Sequence, residues 1–194
     1  ITGLESRGKS TIIRNAAHHI WKETGDPVGL ILLEDTPEEL IEGVVSVHLK
    51  KNLRDPKIRL ATDTADLHQA ANELLVDDRI YFKAEGGPGE VEDLMDVIDW
   101  MIAVGCKVIF FDNVSTLIVG DTMSDSERQG IDNLITECRD RATANNITIF
   151  VVQHLNPNGQ PRGSRMLNIT ASTIIELQQE DTSDDDSAPP EAKL

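Results

Sequence analysis

The sequence predicts an α/β protein: a mainly parallel twisted sheet with helices on both faces. Three observations carry that prediction. Short apolar runs rich in Ile, Val, Leu and Phe recur at residues 28–33, 79–83, 108–111, 147–152 and 173–177. They lack clean polar alternation, as strands buried on both faces do. Between them lie amphipathic stretches of helical period. Near the start, a Gly-Lys-Ser turn leads straight into the first of these stretches. Strands alternating with helices pack as a covered parallel sheet, and ligands of such sheets lie beyond the carboxyl ends of the strands.

The elements follow in order. Ile12, Ile13, Ala16, Ala17, Ile20 and Trp21 share one helical face, and the run VGLILL follows. Leu40, Ile41, Val44 and Val45 form the next helical face, ahead of the strand RIYFK. Val91, Leu94, Met95, Ile98, Met101 and Ile102 make a third helix, ahead of VIFF. Ile131, Leu134, Ile135, Cys138 and Ala142 make a fourth, ahead of ITIFVV and then TIIEL. Gly86-Gly87-Pro88-Gly89 reads as a turn before the third helix.

Composition narrows the function classes. The chain has 194 residues, the length of one domain. Its net charge of −16 excludes a whole-surface basic footprint for nucleic acid, though not a local patch. The one basic cluster, Lys50, Lys51, Arg54, Lys57 and Arg59 with Asp55, is +4 over ten residues. It reads either as a phosphate or partner contact or as a solvated loop. No apolar run is long enough for a transmembrane helix, so no membrane partner is expected. Cys106 and Cys138 are too few for a disulfide scaffold or a zinc ribbon. They fit buried packing in a reducing compartment, hence a cytoplasmic location. His18 and His19 lack the carboxylate or cysteine spacing of a metal site. Residues 180–194 hold six acidic residues and one lysine and read as a disordered acidic tail after a domain spanning 1–179. The chain begins at Ile1 with the motif almost at once, so it reads as a piece of a longer polypeptide.

Gly3-Leu4-Glu5-Ser6-Arg7-Gly8-Lys9-Ser10-Thr11 fits G-x-x-x-x-G-K-[ST]. Glycines in such a loop let backbone N–H groups turn inward around phosphate oxygens. The helix that follows points its positive end at the same anion. Lys9 then reaches the β- and γ-phosphates, and the Ser10 hydroxyl ligates Mg²⁺. Gly3, Ser6, Arg7, Gly8, Lys9, Ser10 and Thr11 are the expected nucleotide-binding residues, for ATP or another nucleoside or deoxynucleoside triphosphate.

Hydrolysis also needs a metal-organising carboxylate and a group that orients water. Asp112 ends the apolar run 108–111 and suits the Mg²⁺ side, held through water; a strand-end cap is the plainer role. Glu34 ends the run 28–33, where a carboxylate polarises water for attack. Asp35 competes for that role, but Asp35-Thr36-Pro37-Glu38 also reads as a helix start, with Asp35 or Thr36 as its cap. Gln153-His154 ends the run 147–152. His154 there either touches the γ-phosphate or is an ordinary packed histidine.

Together these residues resemble the RecA-like ATPase core of DnaB-type hexameric replicative DNA helicases, most closely the helicase half of phage fused primase–helicases. The matching stretches are ITGLESRGKSTIIRNAA, VGLILLEDTPEE, GCKVIFFDNVS, SDSERQGIDNLITECRDRA, IFVVQHLNP and PRGSRMLNITASTIIEL, in the family's order. The resemblance implies a RecA-like P-loop NTPase fold in a homo-oligomer, a hexameric ring that couples hydrolysis to movement along single-stranded DNA and to unwinding. It makes Glu34 the catalytic base, Lys9 and His154 its companions at the γ-phosphate, and Asp112 the metal-side carboxylate. It sets the loops 115–125 and 155–165 near the central channel, with Arg162, Ser164 and Arg165 on DNA. Primase or polymerase partners, and the host cytoplasm for a phage protein, also follow from it.

The chain departs from the family in several places. Arg165 stands where a glycine is commoner, and the strand before the phosphate loop and the late strands are expected to be missing. No Arg follows Arg165, whereas these helicases supply an arginine finger from late strands, worth about 10³ to 10⁵ in rate. A recombinase or clock-type relative, or a nucleotide-binding assembly subunit without catalysis, are the alternative readings.

Overall fold

The computed structural model describes residues 1–4, 8–75, 80–84, 91–114, 125–155 and 166–178. The chain runs β1 (Thr2–Gly3), α1 (Lys9–Thr24), β2 (Val28–Leu32), α2 (Pro37–Leu49), α3 (Pro56–Ala61), α4 (Thr64–Leu75) and β3 (Ile80–Ala84). It continues through α5 (Val91–Ala103), β4 (Val108–Asp112), α6 (Asp125–Asn145), β5 (Thr148–Val151), β6 (Gln153–His154), α7 (Met166–Thr170) and β7 (Glu176–Leu177).

Among the described residues every strand pairing is parallel. Four strands lie in the order β3-β2-β4-β5 and three in the order β6-β1-β7. Val152 alone separates β5 from β6. Its N–H bonds the Phe111 carbonyl at 2.8 Å, and its own carbonyl accepts from Val114 N–H at 3.2 Å. Gln153 N–H then bonds the Ile1 carbonyl at 2.9 Å, so the second sheet follows directly from the first.

Both faces of the four-stranded sheet are buried, which explains why its strands read as unbroken apolar runs. Val28, Leu30, Leu32 and Phe110 pack against Ile13 and Ala17 of α1, Leu40 and Val44 of α2, and Ala70 and Leu74 of α4. Ile31, Ile109 and Phe111 face the other way, against Leu94, Ile98 and Met101 of α5 and Ile131, Leu134 and Cys138 of α6. Phe110 stacks on Phe150 with ring centroids 4.8 Å apart. Both cysteines are buried, and burial pushes each thiol up to about 12.

The structure refines the sequence reading at several points. The reading placed no strand ahead of the phosphate loop; Thr2–Gly3 form one, of two residues, held between β6 and β7. Of the run 147–152 residues Thr148–Val151 form β5, a separate two-residue β6 follows it, and of 173–177 only Glu176–Leu177 pair as a strand. Three helices went unread. α3 is six residues long and buries none of them. α4 buries Ala70 and Leu74, and alanine gives little hydrophobic signal. α7 has five residues.

Candidate functional site

Parallel register brings the strand ends to one edge. Leu32 of β2 pairs with Asp112 of β4, and Gly3 of β1 pairs with His154 of β6. The Leu33 N–H reaches the Asp112 carbonyl at 2.8 Å, and the Leu155 N–H reaches the Gly3 carbonyl at 3.0 Å. Glu34, Asp112 and His154 therefore emerge beside the loop that opens α1.

That loop ends on Gly8, at φ 79° and ψ 14°, which caps α1 in the left-handed region. No atom lies within 4 Å of where a Cβ would stand, so backbone conformation, not crowding, favours glycine there. Lys9 is buried, and its Nζ donates to the carbonyls of Gly3, at 3.0 Å, and Leu4. The Ser10 hydroxyl donates to Asp112 Oδ2 at 2.6 Å. The Asp112 carboxyl is held above the usual carboxylate range, chiefly by burial. The Ser10 hydrogen bond opposes the shift, the charge of Glu34 adds to it, His154 opposes it and Asp35 adds a little more.

Asn113 is fully buried behind Asp112, across a cis peptide bond. Its Nδ2 donates to Glu34 Oε1 at 2.7 Å and lies 3.2 Å from His154 Nε2. A carboxylate only accepts, so the amide nitrogen, not its oxygen, faces Glu34. The same NH₂ group faces His154 Nε2. Glu34 itself is exposed.

Glu34 and Asp35 stand in different surroundings. Thr36 is the cap of α2. Its hydroxyl accepts from the Glu39 N–H at 3.3 Å, and the Glu39 carboxylate accepts from the Thr36 N–H at 2.9 Å, closing a capping box with Pro37 next. Asp35 is engaged by Arg14, a buried residue of α1. Arg14 lies against Gly43 of α2: a Cβ there would stand 2.6 Å from Arg14 Nε and 2.8 Å from its Cδ.

Of the residues singled out in the sequence, Gly3, Gly8, Lys9, Ser10, Glu34, Asp112 and His154 gather at this edge, and Thr11 follows on α1. Ser6 and Arg7, the loops 115–124 and 156–165 with Arg162, Ser164 and Arg165, the turn at 86–89 and the tail 180–194 lie outside the described residues. Sequence reasoning missed Asn113 and Arg14. Asn113 stood next to a chosen aspartate, but its reach across two strands is a tertiary fact. Arg14 interrupts the apolar face of α1, and that single cation was the available signal. No group of His, Cys, Asp and Glu able to hold a metal by themselves occurs among the described residues. No helix there is long and apolar enough to cross a membrane.

A left-handed glycine, a lysine and a serine thus stand at the head of a helix, at the carboxyl edge of a parallel sheet and beside a strand-end aspartate, the place where open α/β folds bind their ligands. Comparisons with known proteins point to the same fold. The chain is 28% identical over 201 residues to the DNA helicase/primase of Enterobacteria phage T3, covering 95% of this chain and 35% of that protein. It thus spans about a third of the length of the curated relative it matches. Among solved structures, an ATPase domain superposes with a TM-score of 0.75 at 16% identity, covering 98% of this chain and 78% of the other. A KaiC-like protein from Pyrococcus horikoshii OT3 superposes with a TM-score of 0.65 at 14% identity, covering 95% and 72%. No family model matches the chain.

Proposed function

We propose that this chain is the NTP-hydrolysing core of a replicative DNA helicase. One observation carries the reading: two separate hydrogen-bonded sets, Ser10–Asp112 and Glu34–Asn113–His154, meet at the sheet edge that the phosphate loop opens onto. The first set binds and the second acts. Similarity to the phage T3 DNA helicase/primase along nearly the whole chain gives the direction of that chemistry.

In this reading the backbone around Gly8 and the Lys9 ammonium hold the triphosphate of ATP or a related nucleotide. The Ser10 hydroxyl and Asp112 carboxylate supply hard oxygen donors that suit Mg²⁺, Asp112 through water. When bound, that ion neutralises charge on the β- and γ-phosphate oxygens. Glu34 orients the attacking water and takes its proton. Asn113 fixes Glu34 from behind and ties it to His154, so a change at the γ-phosphate felt by His154 is shared with the base. The remaining positive charge comes from a neighbouring copy in a ring. Arg162, Ser164 and Arg165 contact single-stranded DNA, and primase or polymerase activities act alongside the motor.

The test is nucleotide turnover by the full chain with and without single-stranded DNA, on the native sequence and on Lys9→Ala. DNA-stimulated turnover that Lys9→Ala abolishes supports the motor. Tight nucleotide binding with no turnover under either condition overturns it in favour of an assembly subunit without catalysis.

A further inference from the structure

Glu34 is exposed, yet the backbone on either side of it is held. Before it, the Leu33 N–H bonds the Asp112 carbonyl at 2.8 Å. After it, Asp35 Oδ2 accepts from Arg14 Nη2, and Thr36 closes the capping box of α2. Asp35 is half-buried, whereas Arg14 is only 4% exposed.

Arg14 stands one helical turn beyond Ser10 on α1, on the same side of the helix. Ser10 reaches Asp112 at the end of β4, and Arg14 reaches Asp35 just past the end of β2. A single helix thus grips both the aspartate read as metal-side and the residue next to the proposed base.

Arg14 is itself confined. α2 passes so close that a Cβ at Gly43 would stand 2.6 Å from Arg14 Nε and 3.1 Å from its Cζ. That Nε is buried with no hydrogen-bond partner. Burying a guanidinium with an unmatched donor costs stability, and an apolar side chain of similar shape would fill the space at less cost. An apolar side chain could not hold Asp35. The pair is therefore better explained by what it positions than by what it stabilises.

We propose that Arg14 is a positioning residue for Glu34: through Asp35 it sets the end of β2, and so the place of the Glu34 carboxylate relative to the phosphates held at the head of α1. The inference rests on the hydrolysis reading above. A shift of α1 on nucleotide binding would then be carried one turn along the helix to Asp35, and base and phosphate would move together.

The test uses the full chain and the variants Arg14→Met, Asp35→Asn, their double and Arg14→Lys, with folds checked by circular dichroism. One readout is kcat and KM for ATP hydrolysis with single-stranded DNA. The other is the Asn113 side-chain amide resonance, assigned by its absence in Asn113→Ser, which reports the Glu34 contact without any turnover. Arg14→Met and Asp35→Asn are each expected to lower kcat about 10- to 100-fold, with KM within about twofold, and to move the Asn113 resonance. The double variant should lose no more kcat than the worse single one, and Arg14→Lys should regain part of the loss. A lower Tm with kcat and the Asn113 resonance unchanged would leave Arg14 a packing residue and overturn the proposal. So would a raised KM at constant kcat, which would place Arg14 in nucleotide binding. If the native chain shows no turnover, the hydrolysis reading fails by itself. The Asn113 resonance then decides: unmoved in both single variants, it overturns the control of Glu34 by Arg14, and moved, it upholds it.

Discussion

The buried Asn113 amide donates to Glu34 Oε1 at 2.7 Å, which makes a residue with no chemistry of its own the support of the carboxylate proposed to orient water. Misplacing a reacting group by about 1 Å costs about 10²-fold in rate. Asn113→Ala is expected to lower kcat for nucleotide hydrolysis by about that factor, with the nucleotide Kd nearly unchanged. Steady-state turnover alongside equilibrium binding checks it. A matched loss of affinity would mean that Asn113 supports the phosphate loop instead.

Asp112 meets Ser10 at 2.6 Å and is buried. Asp112→Asn keeps the shape and removes the charge. Groups that act on a metal through an intervening ligand are worth about 10- to 100-fold in metal affinity. The Mg²⁺ concentration for half-maximal turnover is expected to rise by about that range. A Mg²⁺ titration that superposes on the native curve would leave Asp112 as a strand-end cap only.

Gly43 accommodates Arg14. In Gly43→Ala the new Cβ would sit 2.6 Å from Arg14 Nε, so the buried Arg14 side chain must shift. Overpacking costs about 1–3 kcal/mol, and the better helix propensity of alanine returns at most about 1 kcal/mol. Net destabilisation is expected in urea unfolding. Gly43→Ala made together with Arg14→Ala, which removes the obstruction, should show much less than the sum of the two single effects.

His18 supplies a pH dependence. Its Nε2 lies 3.1 Å from His48 Nδ1, and His48 Nε2 lies 3.1 Å from Glu73 Oε2. Burial first, then the charges of His48, Lys22, His19 and Lys50, hold His18 below the ordinary histidine value of 6.5. A histidine lowered in the fold binds fewer protons there than in the unfolded chain. Its contribution is complete above the unfolded pKa and is lost as pH falls through that value toward the folded one. Tm is expected to drop on acidification from about pH 7.5 to about pH 5.5, and less steeply in His18→Gln. Parallel curves would assign the dependence to other groups.

The sheet was legible because each buried strand is an apolar run, and two of them end in a candidate carboxylate. Thus 108–111 led to Asp112, and 28–33 led to Glu34. The phosphate loop was legible because its chemistry fixes a spacing. What escaped depended on contacts distant in sequence. Asn113 and Glu34 are 79 positions apart, and no local pattern records that their side chains meet. The choice of Thr36 over Asp35 as the cap needed the partner Arg14, which lies on another helix. α4 escaped because half of its inward face is alanine.

Ser10, Arg14 and His18 recur every four residues along α1, and each reaches a different part of the molecule: Asp112, Asp35 and His48. Each residue added to a helix rotates all that follows by about 100°. A single insertion after Ser10 would swing both Arg14 and His18 off their partners, while a substitution at either site disturbs one contact. The length of this helix should therefore tolerate change far less than its composition does, and natural insertions and deletions should fall beyond Thr24.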